Sequence, residues 1–105
     1  MASTMNGATR LETSVLARFT AAPSMNADKY DEAMKRLESL PEWPPDGLAF
    51  HIAFTSDDKF RVSEVWDSRK QFDAFGDRLM PVLKDVGIEL EGEPEMLEVH
   101  NIIQR

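Results

Sequence analysis

Residues 63–75, SEVWDSRKQFDAF, change their periodicity at Trp66 and therefore constrain the fold more than any other stretch. Up to Trp66 the residues alternate as in a β-strand, whereas beyond Ser68, a good N-cap, Phe72 and Phe75 have helical spacing. A strand that ends on tryptophan and leads directly into a capped helix places a large aromatic side chain at the mouth of a sheet–helix layer. Small α+β domains can hold ligands at such a position.

The composition is that of one globular domain. The chain has 105 residues, of which 42% are hydrophobic and 30% charged, enough for a single core. Residues 1–12 are small and polar and are predicted to be a disordered N-terminal arm, so the single domain is expected to span residues 13–105. The chain has no cysteine, which excludes disulfides and thiolate chemistry and agrees with a cytoplasmic location.

Charge and motifs exclude several classes of function. The net charge is −7 with scattered basic residues, so neither nucleic acid nor an anionic membrane is an expected partner. No apolar run reaches the roughly 20 residues of a membrane span. Phosphate-binding glycine motifs are absent, and no cofactor is predicted. The two histidines have no metal-ligand spacing, so no metal site is predicted, although a His51–Glu64–His100 cluster stays open.

The hydrophobic patterns predict the order β-α-β-β-α-β. Strands are expected at residues 13–20, 47–55, 60–66 and 96–104. One helix is expected to follow Asn26, and a second to run from Ser68 to Gly87 with a kink or break caused by Pro81. This order is the ferredoxin-like α+β fold, in which a four-stranded antiparallel sheet carries both helices on one face.

The hairpin between the second and third strands predicts which residues share a face. Without a bulge, His51 is paired with Glu64 and Ala49 with Trp66, and this face is expected to look at the helices. The opposite face is expected to form a homodimer interface, since the second strand is apolar on both sides. Its large apolar residues are Leu48, Phe50, Ile52, Phe54 and Val65.

His51 and Glu64 are the candidate catalytic pair. His51 is expected to act as a general base that Glu64 orients, unless the two form a cross-strand polar pair with a structural role only.

Five further residues are candidates for binding a small-molecule substrate, each with a structural alternative. Trp66, Phe72 and Phe75 belong either to a pocket or to the core. Tyr30 either hydrogen-bonds a ligand or forms a helix staple with its hydroxyl in solvent. His100 either joins the cavity or lies on an edge strand.

The strand order and the motif Glu64-x-Trp66-x-Ser68-x-x-x-Phe72-x-x-Phe75 resemble the dimeric α/β-barrel superfamily. Within it, the chain is similar to antibiotic-biosynthesis-monooxygenase-like (ABM-like) small proteins of an uncharacterised subgroup. The resemblance implies a homodimer whose two sheets pack into a barrel, with a pocket between sheet and helices in each subunit. The family's tryptophan corresponds to Trp66.

Some members of this family oxidise polyphenolic substrates with molecular oxygen and no cofactor, and others degrade haem or bind small metabolites. The haem-degrading relatives use a histidine on the second helix, and residues 68–87 contain none. Two hypotheses follow. The first is a homodimeric small-molecule-binding domain that acts as a cofactor-independent monooxygenase on an aromatic or polyketide-like substrate. The second, which is the alternative to it, is a non-catalytic dimeric structural or interaction module with a packed pocket.

Overall fold

A computed structural model describes residues 13–105, and the predicted N-terminal arm at residues 1–12 lies outside the described residues. The elements follow the predicted order β-α-β-β-α-β. They are β1 (Val15–Thr20), α1 (Ala27–Glu38), β2 (Leu48–Ser56), β3 (Lys59–Trp66), α2 (Arg69–Val86) and β4 (Glu95–Glu98).

The four strands form one antiparallel sheet in the order β2-β3-β1-β4. Both helices pack on the same face of this sheet, where Leu37 of α1 and Phe75 of α2 meet the indole of Trp66 in one hydrophobic cluster. The predicted ferredoxin-like fold is therefore confirmed. The face that the helices cover is called the inner face below, and the opposite face is called the outer face.

The predicted helix boundaries are confirmed at the level of hydrogen bonds. The Asn26 side chain accepts from the Lys29 N–H at 2.8 Å, and the Ser68 hydroxyl accepts from the Gln71 N–H at 3.2 Å. Gly87 ends α2 in the left-handed conformation, with φ of 87°. These short-range signals fixed where both helices begin and where α2 ends.

Pro81 does not divide α2, so the break, one of the two predicted effects of this proline, is wrong, whereas the kink stays a prediction. The helix is continuous from Arg69 to Val86. Proline removes a single backbone hydrogen bond, whereas Leu79 and Leu83 on either side of it pack against the hydrophobic clusters beneath the helix. Side-chain packing therefore holds the helix together across the missing bond.

The last strand is shorter than the predicted residues 96–104. β4 pairs only with β1, and their register ends where Glu98 faces Val15, the first residue of β1. Beyond that point the Val99 N–H still donates to the Ser14 carbonyl at 3.0 Å, but residues 99–105 form no strand. They lie instead against the outer face, where Val99, Ile102 and Ile103 border a cavity of about 260 Å³.

The β2–β3 register is confirmed except at its end. Phe60 faces Thr55, and Glu64 faces His51, but Trp66 faces Leu48 instead of Ala49. A β-bulge between Leu48 and Phe50 shifts the register by one residue, which turns Leu48 from the predicted outer face towards the inner cluster. Bulges leave no unique mark in a single sequence, so alternation alone predicted the wrong partner.

Alanine substitutions at Gly76, inside α2, and at Gly87, directly after its last residue, are expected to change stability in opposite directions. A methyl group added at Gly76 would meet no atom within 4 Å. Gly76→Ala is therefore expected to stabilise the protein by about 0.5–1 kcal/mol, because alanine lowers the conformational entropy of the unfolded polypeptide. Gly87→Ala is expected to destabilise it by about 1–2 kcal/mol, because the left-handed conformation is strained for alanine.

Urea unfolding followed by circular dichroism measures both changes. A loss of stability in Gly76→Ala would show that the helix is packed more tightly at this position than the structure indicates.

Candidate functional site

Four side chains on the inner face form a continuous chain of hydrogen bonds. The Tyr30 hydroxyl lies 2.7 Å from His51 Nε2, and His51 Nδ1 lies 2.7 Å from Glu64 Oε2. The other carboxylate oxygen, Glu64 Oε1, accepts from the Trp66 indole N–H at 3.0 Å. These four hydrogen-bonded side chains are called the Tyr30–Trp66 chain below.

The local folding of the sheet brings these residues together. His51 and Glu64 are direct partners in the β2–β3 register, and Trp66 lies two residues beyond Glu64, so all three point to the inner face. Tyr30 comes from the first turns of α1 and stacks on the imidazole of His51, with ring centroids 6.1 Å apart. The predicted orientation of the His51–Glu64 pair towards the helices is therefore what the structure shows.

The Tyr30–Trp66 chain of hydrogen bonds is most buried at Glu64 and Trp66. Trp66 is fully buried and Glu64 is 5% exposed, whereas the His51 side chain retains 23% of its exposure. A carboxylate in such a position requires partners for its oxygens, and both oxygens of Glu64 have one. Trp66 therefore holds Glu64 Oε1 in place, and Glu64 Oε2 binds His51.

The hydrogen bonds determine one arrangement of protons when Glu64 is a carboxylate and His51 is neutral. The carboxylate only accepts, so His51 Nδ1 must carry the proton that it donates to Glu64. His51 Nε2 is then an acceptor, and the Tyr30 hydroxyl donates to it. In this arrangement Tyr30 and His51 are positioned to exchange a proton, with Glu64 stabilising the positive charge that His51 would gain.

The phenol of Tyr30 is held in its neutral form. Burial raises the pKa of Tyr30, and the negative charges of Glu64, Asp31 and Glu38 raise this pKa further. Tyr30 is therefore a neutral hydrogen-bond partner of His51 near neutral pH.

The Tyr30–Trp66 chain borders a cavity of about 80 Å³ between the sheet and the helices. Tyr30, His51 and Glu64 are the polar side chains of its wall, and the rest of the wall is apolar. The apolar part of the wall is formed by side chains of the sheet, both helices and the loops between them. They include Phe19, Met25, Met34, Leu37, Trp43, Leu48, Phe60, Phe75 and Leu83. An apolar cavity with a few convergent polar groups is the usual form of a small-molecule site.

The structure brings four of the seven predicted site residues to this cavity. Those four are Tyr30, His51, Glu64 and Phe75. The Tyr30 hydroxyl bonds His51, so the alternative of a staple with its hydroxyl in solvent does not hold.

The other three predicted site residues do not line the cavity. Trp66 does not contact the cavity itself, but its indole N–H donates to Glu64, which does. Phe72 packs edge-on against Trp66 with ring centroids 5.9 Å apart. His100 lies beyond the end of β4 and is exposed, because β1 has no further residues to pair with that segment.

Three aromatic residues at the cavity were not predicted as site residues: Phe19 of β1, Trp43 and Phe60. Trp43 reaches it from the proline-rich loop after α1 and packs against Phe75, with ring centroids 6.4 Å apart. Phe60, the first apolar residue after the hairpin turn, packs against Tyr30, with ring centroids 5.4 Å apart. Phe60 has an inward position in the predicted alternation, whereas nothing in the sequence indicates the direction of a loop residue such as Trp43.

The described residues offer no alternative centre of metal chemistry. Within residues 13–105, no three His, Asp or Glu side chains are grouped so that they could hold a metal ion. Neither of the two helices in this part of the chain has the length and apolar character needed to cross a bilayer.

Comparison with solved structures identifies the fold. No family model matches the chain, and no curated protein matches its sequence significantly. SnoaB, a cofactor-independent oxygenase from Streptomyces nogalater, superposes with a TM-score of 0.55 at 14% identity, over 89% of this chain and 97% of SnoaB. A protein of unknown function from Nitrosomonas europaea, NE2512, superposes with a TM-score of 0.60 at 16% identity, over 90% of this chain and 94% of its own.

The chain has the ABM-like fold. A candidate antibiotic biosynthesis monooxygenase from Chloroflexus aurantiacus shares it, with a TM-score of 0.53 at 16% identity over 88% of this chain and 94% of the other. The ABM-like neighbours thus include an oxygenase and a protein of unknown function, so the shared fold does not assign an activity.

Proposed function

We propose that the protein is a homodimeric small-molecule-binding protein that acts as a cofactor-independent monooxygenase on an aromatic substrate. The observation that carries this proposal is His51 at the polar end of an apolar cavity, held there by the buried carboxylate of Glu64 at 2.7 Å. The carboxylate holds the imidazole in one orientation through Nδ1, which suits His51 to act as a general base.

The proposed chemistry needs only a base and a dry pocket. Proton transfer to His51 leaves the substrate as an anion, and an electron-rich aromatic anion can reduce molecular oxygen itself. Glu64 stabilises the resulting imidazolium, and the apolar wall excludes water from the reacting anion. That SnoaB is a cofactor-independent oxygenase with the same fold supports this reaction class.

The outer face of the sheet supports the proposed homodimer. Phe50 and Ile52 each remain 44% exposed on it, and Leu97 of β4 remains 42% exposed. Large apolar side chains grouped on one face of a sheet commonly mark an interface, since contact with a second copy removes them from water. The C-terminal residues cover only part of this face, next to Phe50.

A non-catalytic dimeric module is the second candidate, and the size of the cavity favours it. A volume of about 80 Å³ is close to half of the roughly 150 Å³ that admits benzene in an engineered protein cavity. The polar groups of the wall also satisfy one another, as expected of a structural network.

Oxygen consumption distinguishes the two candidates. We expect the purified protein to accelerate oxygen uptake by the single-ring phenols hydroquinone and catechol in the presence of a metal chelator. His51→Gln is expected to lower this rate by about 100-fold or more, because it removes the base. His100→Gln is the matched control, since it changes an exposed histidine outside the cavity.

Equal rates in wild type and His51→Gln would remove His51 from the mechanism. Oxygen uptake no faster than with heat-denatured protein, for every compound, would favour the non-catalytic module.

A further inference from the structure

We propose that Tyr30, and not His51, is the group that contacts the ligand, and that it relays a proton from a neutral, single-ring phenol to His51. This inference rests on the function proposed above, because it needs a small molecule in the cavity. It assigns the first contact with the ligand and the chemical class of that ligand.

The first argument is that both ring nitrogens of His51 are occupied. Nδ1 is bonded to Glu64 and Nε2 to the Tyr30 hydroxyl, each at 2.7 Å. A ligand therefore cannot give its proton directly to His51 unless it displaces Tyr30. The phenol oxygen of Tyr30 donates its own hydrogen to His51 and still has lone pairs that can accept one from the ligand.

The proposed step transfers two protons along one line. The ligand O–H bond breaks with its electron pair left on the ligand oxygen, and that proton bonds to the Tyr30 oxygen. The proton that Tyr30 held moves to His51 Nε2, so the products are a ligand anion, a neutral tyrosine and an imidazolium beside Glu64. Tyr30 is unchanged overall, which agrees with the raised pKa that keeps it a neutral phenol.

The second argument concerns ligand charge. Among residues 13–105, none of those that line the cavity is a lysine or arginine, and Glu64 supplies negative charge at its polar end. A carboxylate or phosphate would be buried there without a cationic partner, which is strongly unfavourable. The geometry therefore selects a ligand that enters neutral and carries a weakly acidic O–H group.

The third argument concerns ligand size. At about 80 Å³, the cavity has room for one aromatic ring only if a flexible wall residue moves, and the unbranched side chains of Met25 and Met34 are suited to this. Multi-ring ligands would also require displacement of Leu37 or Phe75, which are buried in the core. This favours a single ring.

The experiment uses 4-nitrophenol, whose anion has its own visible absorption band. The matched ligands are 4-nitroanisole, which has no acidic proton, and 4-nitrobenzoate, which is an anion. At a pH below the pKa of the free phenol, we expect wild type to bind 4-nitrophenol and 4-nitroanisole but not 4-nitrobenzoate. The bound phenol is expected to show the anion band, while nitrogen NMR of His51 shows both ring nitrogens protonated.

Tyr30→Phe is the decisive variant, because it removes one oxygen and keeps the ring. It is expected to lower the ratio of ionised to neutral 4-nitrophenol in the site by about tenfold or more, and its affinity for 4-nitroanisole, measured alongside, shows whether the pocket itself is retained. Unchanged ionisation in Tyr30→Phe, together with its loss in His51→Gln, would overturn the relay and leave His51 as the direct base.

The remaining outcomes separate the proposals. Preferential binding of 4-nitrobenzoate would overturn the neutral phenol while a ligand pocket still stands. Absence of binding for all three compounds would overturn the relay and the small-molecule function together. Ionisation that survives in both Tyr30→Phe and His51→Gln would exclude the whole Tyr30–Trp66 chain as the proton acceptor.

Discussion

Trp66→Ala is expected to lower the free energy of unfolding by about 3–5 kcal/mol, the range for removing a large aromatic side chain from a core. Trp66 is fully buried, and its ring packs against Phe75 at 5.5 Å and Phe72 at 5.9 Å. The substitution leaves a large void between the sheet and α2. It also takes away the indole N–H that Glu64 Oε1 accepts, so a buried carboxylate oxygen loses its partner.

Urea unfolding monitored by circular dichroism measures the loss. Trp43→Ala is the matched control, because Trp43 is the other tryptophan of the sequence, is only partly buried and lies in a loop. It is expected to cost no more than about 2 kcal/mol. Equal losses in the two variants would show that Trp66 is not the centre of the core.

Ile52→Lys is expected to convert the proposed dimer into a folded monomer. Ile52 lies on the outer face and is 44% exposed, so lysine can be solvated there in a single subunit. In a two-fold symmetric dimer every substitution occurs twice in the same interface, and a charge buried without a partner opposes association. A penalty of several kcal/mol corresponds to a dissociation constant raised by about 1,000-fold or more.

Size-exclusion chromatography with light scattering, supported by native mass spectrometry, measures the change. Met80→Lys is the matched control, since Met80 is also a large exposed apolar residue, at 54%, but lies on α2. We expect wild type and Met80→Lys to be dimers. A monomeric wild type would contradict the homodimer, and a dimeric Ile52→Lys would exclude the outer face as its interface. Circular dichroism shows whether Ile52→Lys remains folded.

Short-range chemistry accounts for the parts of the fold that were predicted correctly. The caps at Asn26 and Ser68, the glycine at position 87 and the hairpin between β2 and β3 each depend on residues a few positions apart. At two places where the sequence prediction was wrong, the deciding contact came from another element of the fold. β4 ends where its partner β1 begins, and α2 continues through Pro81 because both sides of it are packed.

The candidate site divides in the same way. The His51–Glu64 pair was predictable because two adjacent strands joined by a tight hairpin have one simple register. The hydrogen bond from Tyr30 was not, since it depends on how α1 lies over the sheet. The place of Trp66 behind Glu64, with no part in the cavity wall, likewise follows from the packing of α2.

The sequence by itself thus determined the order of the elements, the ferredoxin-like fold and the face on which His51 and Glu64 meet. Periodicity, capping and hairpin geometry act over a few residues, so a single chain records them directly. Only the tertiary structure decided that Tyr30 bonds the His51 nitrogen that Glu64 leaves free and that the cavity has a volume of about 80 Å³. Both depend on side chains from separate elements filling one shared volume, and such packing leaves no periodic signal in the sequence.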